Sequence, residues 1–357
     1  MAGVEIEIGR RKIGDGHPTY FLADIASNHD GDLERAIALV HLAAGSGADG
    51  AKFQHFAAET IVSDQGFRAL GGPASHQASW TGSVYDVYKA AEVGRHWTAA
   101  LRDACDEAGI DFVTTPYSLE LLDALVPHVA AIKIGSGDIT WPTLIRAVAA
   151  KGLPTLLATG ASELSEVVDA VRWVRESNDR LVLMQCNTNY TGSSENFAHV
   201  DLNVLRAYAV LFPELVLGLS DHTPGHAAAL GAIALGARVI EKHFTDDGRR
   251  KGPDHGFSMT PDAWSDMVAR ARELEAALGS SLKAVAENER ETVILQRRCI
   301  RATRDLETGT VLDEGSLSVL RPCPPDGLPP CRLPEVLGRV LARDLDAGEC
   351  VRWTDLA

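Results

Sequence analysis

The chain has 357 residues, 45% of them hydrophobic, and a formal net charge of −15. That excess of acid speaks against nucleic acid or an anionic membrane surface as a partner. It does not exclude an anionic substrate, because a few local cations and helix N-termini reverse the field inside one pocket. No apolar run reaches the roughly 18 residues of a membrane span. Met1 to Gly16 mixes charge and glycine without an apolar core, so no signal peptide is expected. The six cysteines are scattered with no CxxC pair, which suits reduced thiols in a cytoplasm rather than a disulfide scaffold or a zinc ribbon.

Val4 to Pro18 reads as a strand or hairpin leading in. Eight short apolar runs follow: Tyr20–Ala26, Gly50–Gln54, Asp111–Thr114, Ala130–Ile134, Thr155–Ala158, Leu181–Cys186, Leu215–Leu219 and Arg238–His243. Helical periodicity separates most of them, at Leu33–Ala44, Trp97–Glu107, Leu119–Leu125, Pro142–Ala150, Leu164–Glu176, Ala227–Leu235 and Pro261–Leu278. Continuous apolar strands between helices predict a parallel sheet covered on both faces. Eight units in about 260 residues match a (β/α)8 TIM barrel. A doubly wound open sheet is the alternative, but no GxGxxG follows the first strand. The interval His55 to Arg95, with Trp80, Tyr85 and Tyr88, is long for a β/α connection and predicts a lid or substrate loop.

The repeat ends near Gly279. The expected division is a barrel domain over 1–279, a polar connector over 280–297 and a small, mostly β domain over 298–357. Two similar phrases, Ala302 to Leu312 and Ala342 to Val351, each read as strand, turn at glycine, strand, which suggests internal pseudo-symmetry.

In a parallel barrel the chemistry sits at the C-terminal ends of the strands. Those ends carry Asp24, Ser27, Asn28 and His29; Lys52 and Gln54; Thr114, Thr115 and Tyr117; Lys133, Ser136 and Asp138; Thr159 and Gly160; Gln185, Asn187, Thr188 and Asn189; and finally His222 and His243. Two histidines at matching positions of consecutive strands, flanked by Asp221, Glu241 and Asp246, suit a borderline divalent metal; unrelated strand-capping residues are the plain alternative. A lysine inside an apolar strand is costly to bury unpaired. One lysine would be explained by a salt bridge to a barrel carboxylate. Lys52 and Lys133 together, with Thr115, Ser220 and the Gly135-Ser-Gly137 turn, better suit a phosphate or carboxylate site. A phosphate half beside a metal half points to a phosphorylated substrate reacting with an aldehyde or ketone. A Schiff base on Lys133 is the chemical alternative.

Five phrases, in order, carry a resemblance: Ala23 to Asp32, Gly47 to Gln54, Lys133 to Gly137, Gly218 to Thr223, and Glu241 to Thr245 with Gly252 to His255. Over nearly its whole length the chain resembles the sialic acid synthase (N-acetylneuraminate synthase) family, and its C-terminal part resembles that family's antifreeze-like (SAF) domain. The resemblance implies a transferase of carbohydrate biosynthesis that condenses phosphoenolpyruvate with an aldose such as N-acetylmannosamine, giving a 2-keto-3-deoxy sugar acid and phosphate. It implies a divalent metal, manganese or magnesium, on His222 and His243. Lys52, Thr115, Lys133, Ser136, Thr188 and Ser220 match phosphoenolpyruvate positions, and Gln54 a polar position of the same site. Asp24, Asn28, Asp138, Tyr190 and Asp246 fall on the acceptor side, and Arg321 matches an arginine supplied to a partner's barrel in a domain-exchanged homodimer. Asp24 and Asp138 stand where the family usually has Glu, Tyr190 to Ser194 replaces a Tyr-Pro-Thr-Pro phrase, and Ala158 replaces a usual Ser. These departures point to an altered acceptor. A catalytically silent sugar-binding homologue is the remaining alternative.

Overall fold

The computed structural model describes residues 4–70, 77, 80 and 82–357. They form two compact units, Met1–Gly279 and Ser280–Ala357. In the first, β1 (Glu5–Ile8) and β2 (Arg11–Gly14) make an antiparallel hairpin. Eight strands then close a parallel barrel: β3 (Tyr20–Asp24), β4 (Gly50–His55), β5 (Asp111–Pro116), β6 (Ala131–Ile134), β7 (Thr155–Ala158), β8 (Leu181–Cys186), β9 (Val216–Asp221) and β10 (Val239–His243). β10 pairs with β3, so no edge strand remains.

The period of two in each strand sorts its residues between two cores. Tyr20, Leu22, Val113, Ala131, Leu156, Val182, Met184, Val216 and Val239 fill the barrel interior, where Ile6, Ile8 and Ile13 of the hairpin pack against them. The alternate residues, among them Phe21, Ala51, Phe112, Ile132, Leu157, Leu183, Leu217 and Ile240, face the helices. The same alternation continued up the strands puts Asp24, Lys52, Gln54, Thr115, Lys133, Ala158, Cys186, Ser220, Glu241 and His243 on the inner side at the upper end. Apolar packing below and ionisable groups above are thus two stretches of one pattern.

The first helix, α1 (Leu33–Gly45), starts where Asp32 accepts from the amides of Glu34 and Arg35. It buries Ala36, Leu39, Val40 and Ala43, a single 3.6-period stripe. Three short helices occupy the long connection after β4: α2 (Ala58–Ile61), α3 (Asp64–Ala69) and α4 (Val84–Ala90). Residues 71–76, 78–79 and 81 of the expected lid lie outside the described residues. The ring continues with α5 (Trp97–Ala108), α6 (Leu119–Leu125), α7 (Pro142–Ala149), α8 (Leu164–Arg175), α9 (Val204–Leu211), α10 (Ala227–Ala234) and α11 (Pro261–Leu278). The sequence reading missed α9. Its apolar residues do not form one stripe: Leu205 and Tyr208 are buried while Val210 is 79% exposed.

One outward-facing ion pair joins the two histidine-bearing strands. Lys242 donates to Asp221 Oδ2 at 2.5 Å and to the Thr223 carbonyl at 2.7 Å, and neither charged side chain reaches solvent. Asp221 and Thr223 flank His222, so Lys242 holds the backbone on both sides of that imidazole. Lys242→Ala would leave Asp221 buried and unpaired. The expected loss is about 3–5 kcal/mol of unfolding free energy, read from the urea midpoint; a change within experimental error would show that the pair holds nothing.

In the second unit, β11 (Cys299–Ala302) pairs antiparallel with β12 (Leu317–Leu320). The two repeated phrases do not each form a regular hairpin; they meet each other through single bridges. Leu306 and Leu345, equivalent in the repeat, exchange both backbone hydrogen bonds. Asp344 accepts from the Thr308 amide, and Asp305 accepts from that of Ala347. Each phrase therefore caps the other's turn. The stretch expected as a plain connector carries α12 (Arg290–Gln296) and belongs to this unit's compact body.

Candidate active site

A cavity of about 230 Å³ opens at the C-terminal ends of the barrel strands. On its floor, Lys52 Nζ stands 2.6 Å from Asp24 Oδ2 and 3.2 Å from Glu241 Oε1, and Lys133 Nζ stands 2.5 Å from Glu241 Oε2. All four side chains are at most 4% exposed. Lys133 also donates to Ser220 Oγ at 3.2 Å. Glu241 is thus a carboxylate shared by two ammoniums. Burial opposes its charge, and Lys133 and Lys52 outweigh burial and hold it well below the ordinary range. Burial likewise opposes the charge of Lys52, which Asp24 and Glu241 raise above a free lysine. Lys133 is lowered, because burial and the neighbouring Lys52 exceed what Glu241 restores.

Beside this floor, Ser136 Oγ accepts from the Gly160 amide at 2.9 Å. Gly160 has no room for a side chain: a Cβ there would lie 2.5 Å from Thr188 Cγ2 and 3.0 Å from Ser136 Oγ. The Thr115 hydroxyl is fully buried with no hydrogen-bond partner. Two ammoniums, three hydroxyls and a close-packed glycine turn form a site able to take a compact anion.

The opposite wall holds His222 and His243, with ring centroids 5.3 Å apart, and Tyr190 stacked edge-on 4.4 Å from His222. His222 Nδ1 lies 2.8 Å from the Asn187 carbonyl. That oxygen can only accept, so the ring proton sits on Nδ1 and Nε2 keeps its lone pair. Burial, then the neighbouring His243, push the His222 pKa well below the usual value, so the ring is neutral. His243 Nδ1 is buried without a partner, and its Nε2 lies 3.4 Å from Asp24 Oδ2. No cluster of three or more His, Cys, Asp or Glu groups stands ready for a metal among the described residues. Two imidazoles, that of His222 neutral, do fit a divalent ion that keeps most of its coordination for substrate and water.

Asp24, Lys52, Gln54, Lys133, Ser136, Tyr190, Ser220, His222 and His243 all line the one cavity. Thr115, Thr188 and Asp138 are not among the residues that line it. Asp138 lies in the turn Ser136–Asp138 with Oδ2 buried and unpartnered, and burial raises its pKa to about 6. Its protonation therefore couples to stability. The folded carboxyl binds a proton more tightly than the unfolded one, so this contribution falls as pH rises from 3.8 to about 6 and is flat above. Asp138→Asn is expected to remove that decline from the pH profile of unfolding free energy; an unchanged profile would place the titration elsewhere.

Asn28 and Asp246 are not brought to the cavity. Asn28 donates to the Phe244 carbonyl and to Ser258 Oγ, and Asp246 forms a two-pronged ion pair with Arg35. Arg321 lies in the second unit, where it donates to the Gln296 carbonyl. Asp24 is turned inward: Oδ1 accepts from the Ala26 amide while Oδ2 holds Lys52. The sequence reading had Glu241 only as a flank of the histidine pair, not as the shared partner of Lys52 and Lys133. The signal was present, since Glu241 precedes His243 by two residues and so shares its face. Phe56, Tyr88, Tyr117 and Asp254 also line the cavity; Asp254 accepts from Ser27 through both its amide and its hydroxyl. No local pattern linked Tyr88 to Phe56, which lies a whole connection away.

Comparison with known proteins agrees over both units. The model of the NeuB family matches residues 39–283, and that of the SAF domain matches 297–357. The chain is 34% identical to N,N'-diacetyllegionaminic acid synthase of Legionella pneumophila, over 97% of this chain and 96% of that one. It is 31% identical to human N-acetylneuraminate-9-phosphate synthase, over 92% and 90%. The crystal structure of N-acetylneuraminic acid synthetase from Leptospira borgpetersenii superposes with a TM-score of 0.72 at 27% identity, covering 82% of this chain and 96% of that one. With its barrel and its small C-terminal domain each matched in turn, the chain belongs to the NeuB family.

Proposed function

We propose that this protein condenses phosphoenolpyruvate with an aldose or related aldehyde, releasing phosphate and a 2-keto-3-deoxy sugar acid. The observation that carries this reading is the buried Lys52–Glu241–Lys133 group facing the imidazoles of His222 and His243 across one cavity. The relatives are named as synthases of sugar acids, which agrees with it.

Lys52, Lys133, Ser136 and Ser220 bind and orient the phosphate and carboxylate of phosphoenolpyruvate, with Thr115 and Thr188 as further hydroxyl partners. C3 forms a bond to the aldehyde carbon, water adds at C2, and the C2–O bond to phosphate breaks. The aldehyde oxygen ends as a hydroxyl. His222 and His243 would hold a divalent ion, manganese or magnesium, which supplies Lewis-acid polarisation of the aldehyde. Holding His222 neutral keeps a nitrogen lone pair available there, and the Asn187 carbonyl fixes which one.

A Schiff base on Lys133 fits less well. That amine, though its pKa is lowered by burial and Lys52, is already engaged by Glu241 and Ser220, and a Schiff base would leave the two imidazoles without a task. A silent sugar-binding role leaves the paired lysines and imidazoles without a task. The acceptor is an aldehyde other than, or in addition to, N-acetylmannosamine: Asp24 is short and already held by Lys52, and the 190–194 loop departs from the usual phrase.

Phosphate release from phosphoenolpyruvate, screened across aldoses with and without manganese, tests this. Release with at least one aldose, lost on chelation, is expected. No release with any aldose would sink the condensation. Efficient turnover of N-acetylmannosamine, with nothing better in the panel, would sink the altered acceptor.

A further inference from the structure

We propose that Cys299 and Cys350 are a modification site: a thiol pair in the second unit that a peroxide oxidises to a disulfide, stapling that unit. The proposal is independent of the reaction at the barrel.

The sequence hides the pair, since the two cysteines stand 51 positions apart. The fold brings them together. Cys299 opens β11, and two residues on, Arg301 bridges antiparallel to Cys350. The backbone closes on both sides of that bridge: the Val351 amide donates to the Ile300 carbonyl at 2.9 Å, and the Ala302 amide to that of Glu349 at 3.0 Å. Residues two apart on a strand share a face. Cys299 therefore stands diagonally across from Cys350, within side-chain reach. Cys350 Sγ meets Cys299 Sγ at 2.8 Å. The ladder holds both backbones in place, so forming the bond needs side-chain rotation and no change of fold.

The pair is enclosed. Cys299 is fully buried and Cys350 is 4% exposed. A Cβ on Gly327 would lie 2.5 Å from Cys350 Sγ, so glycine is what lets the chain lie directly on that sulfur. Burial, then Cys350, push the Cys299 thiol up to about 12, and its thiolate is scarce. Proximity, not a reactive thiolate, is what favours the disulfide here.

The chemistry closes with peroxide alone. One sulfur attacks a peroxide oxygen, the O–O bond breaks, and a sulfenic acid and water result. The second sulfur displaces the sulfenic hydroxyl as a second water. Two S–H bonds are lost, one S–S bond forms, and two electrons pass to the peroxide.

The disulfide closes residues 299–350, most of the second unit, into one loop and restricts its unfolded chain. It also removes a donor. Cys299 Sγ donates to the Pro322 carbonyl at 3.3 Å, and the Arg301 guanidinium donates to the same oxygen. After oxidation Arg301 holds that carbonyl without the thiol, directly beside Arg321.

The test exposes the folded full chain, freed of reductant, to hydrogen peroxide and digests it unreduced. A linked Cys299–Cys350 peptide is expected, while the exposed Cys331 oxidises without joining either. The unfolding temperature of the second unit should rise by at least about 5 °C, and dithiothreitol should reverse the rise. Cys350→Ala should show neither link nor rise. Should that variant not fold, Cys299→Ala replaces it, and the reversal in the unsubstituted chain decides by itself. No linked peptide at a peroxide dose that oxidises Cys331, a link to Cys323 or Cys331 instead, or a link formed only in urea would overturn the proposal. A linked peptide with an unchanged unfolding temperature would refute the staple.

Discussion

Replacing His222 with Ala is expected to lower phosphoenolpyruvate-dependent phosphate release on the order of 10³-fold, the scale of losing several kcal/mol of charge stabilisation at the aldehyde. The protein should stay folded. His222 lies at the rim of an existing cavity, and its one strong tie is to the Asn187 carbonyl, which can turn to water once the ring is gone. The neutral state of the ring is what gives it this role; a protonated imidazole would repel a cation and point a proton at the acceptor. Activity and near-ultraviolet circular dichroism on the same sample check it. Retained activity in a folded variant would remove the metal from the account. Lost activity with lost ellipticity would instead be a packing effect, and His222→Gln, of similar bulk, then decides between them.

Lys133→Met is expected to weaken phosphoenolpyruvate binding by about 10²-fold or more, because one buried charge-assisted contact to an anion is lost outright. The fold should tolerate the change better than its burial suggests. Met fills nearly the same volume, and Glu241 keeps Lys52 at 3.2 Å as a partner. Calorimetry with phosphoenolpyruvate reads the affinity directly. The same variant separates the two chemical readings. Borohydride with pyruvate should leave the unmodified protein untrapped, since the Lys133 amine is already engaged by Glu241 and Ser220. An adduct at Lys133, absent from the variant, would favour the Schiff base.

Much of the barrel was legible because each strand had to be apolar on both faces, and this leaves runs that no surface segment imitates. Lys52 and Lys133 stood out for the same reason: a cation in such a run needs a partner. The partner's name was one step further. Glu241 follows from His243 only once the inner face of β10 is counted by twos. Trp80 and Tyr88 were legible as part of a substrate loop, but their meeting with Phe56 was not, since it comes only when the connection after β4 folds back on itself. Asn28 and Asp246 looked like site residues from their place at strand ends, yet each satisfies its hydrogen bonds or charge with a neighbouring loop or helix. Position at a strand end decides which face a residue shares; which neighbour claims its polar atoms is a tertiary fact.

The reaction itself is tested most directly by following the oxygen that bridges C2 and phosphorus. With that oxygen isotopically heavy and a turned-over aldose present, the heavy atom is expected in the released inorganic phosphate, because C2 is the centre that water attacks. A heavy atom retained in the sugar acid, with ordinary phosphate released, would mean that the P–O bond had broken, and the lysine-lined site would then be one of phosphoryl transfer rather than carbon–carbon condensation.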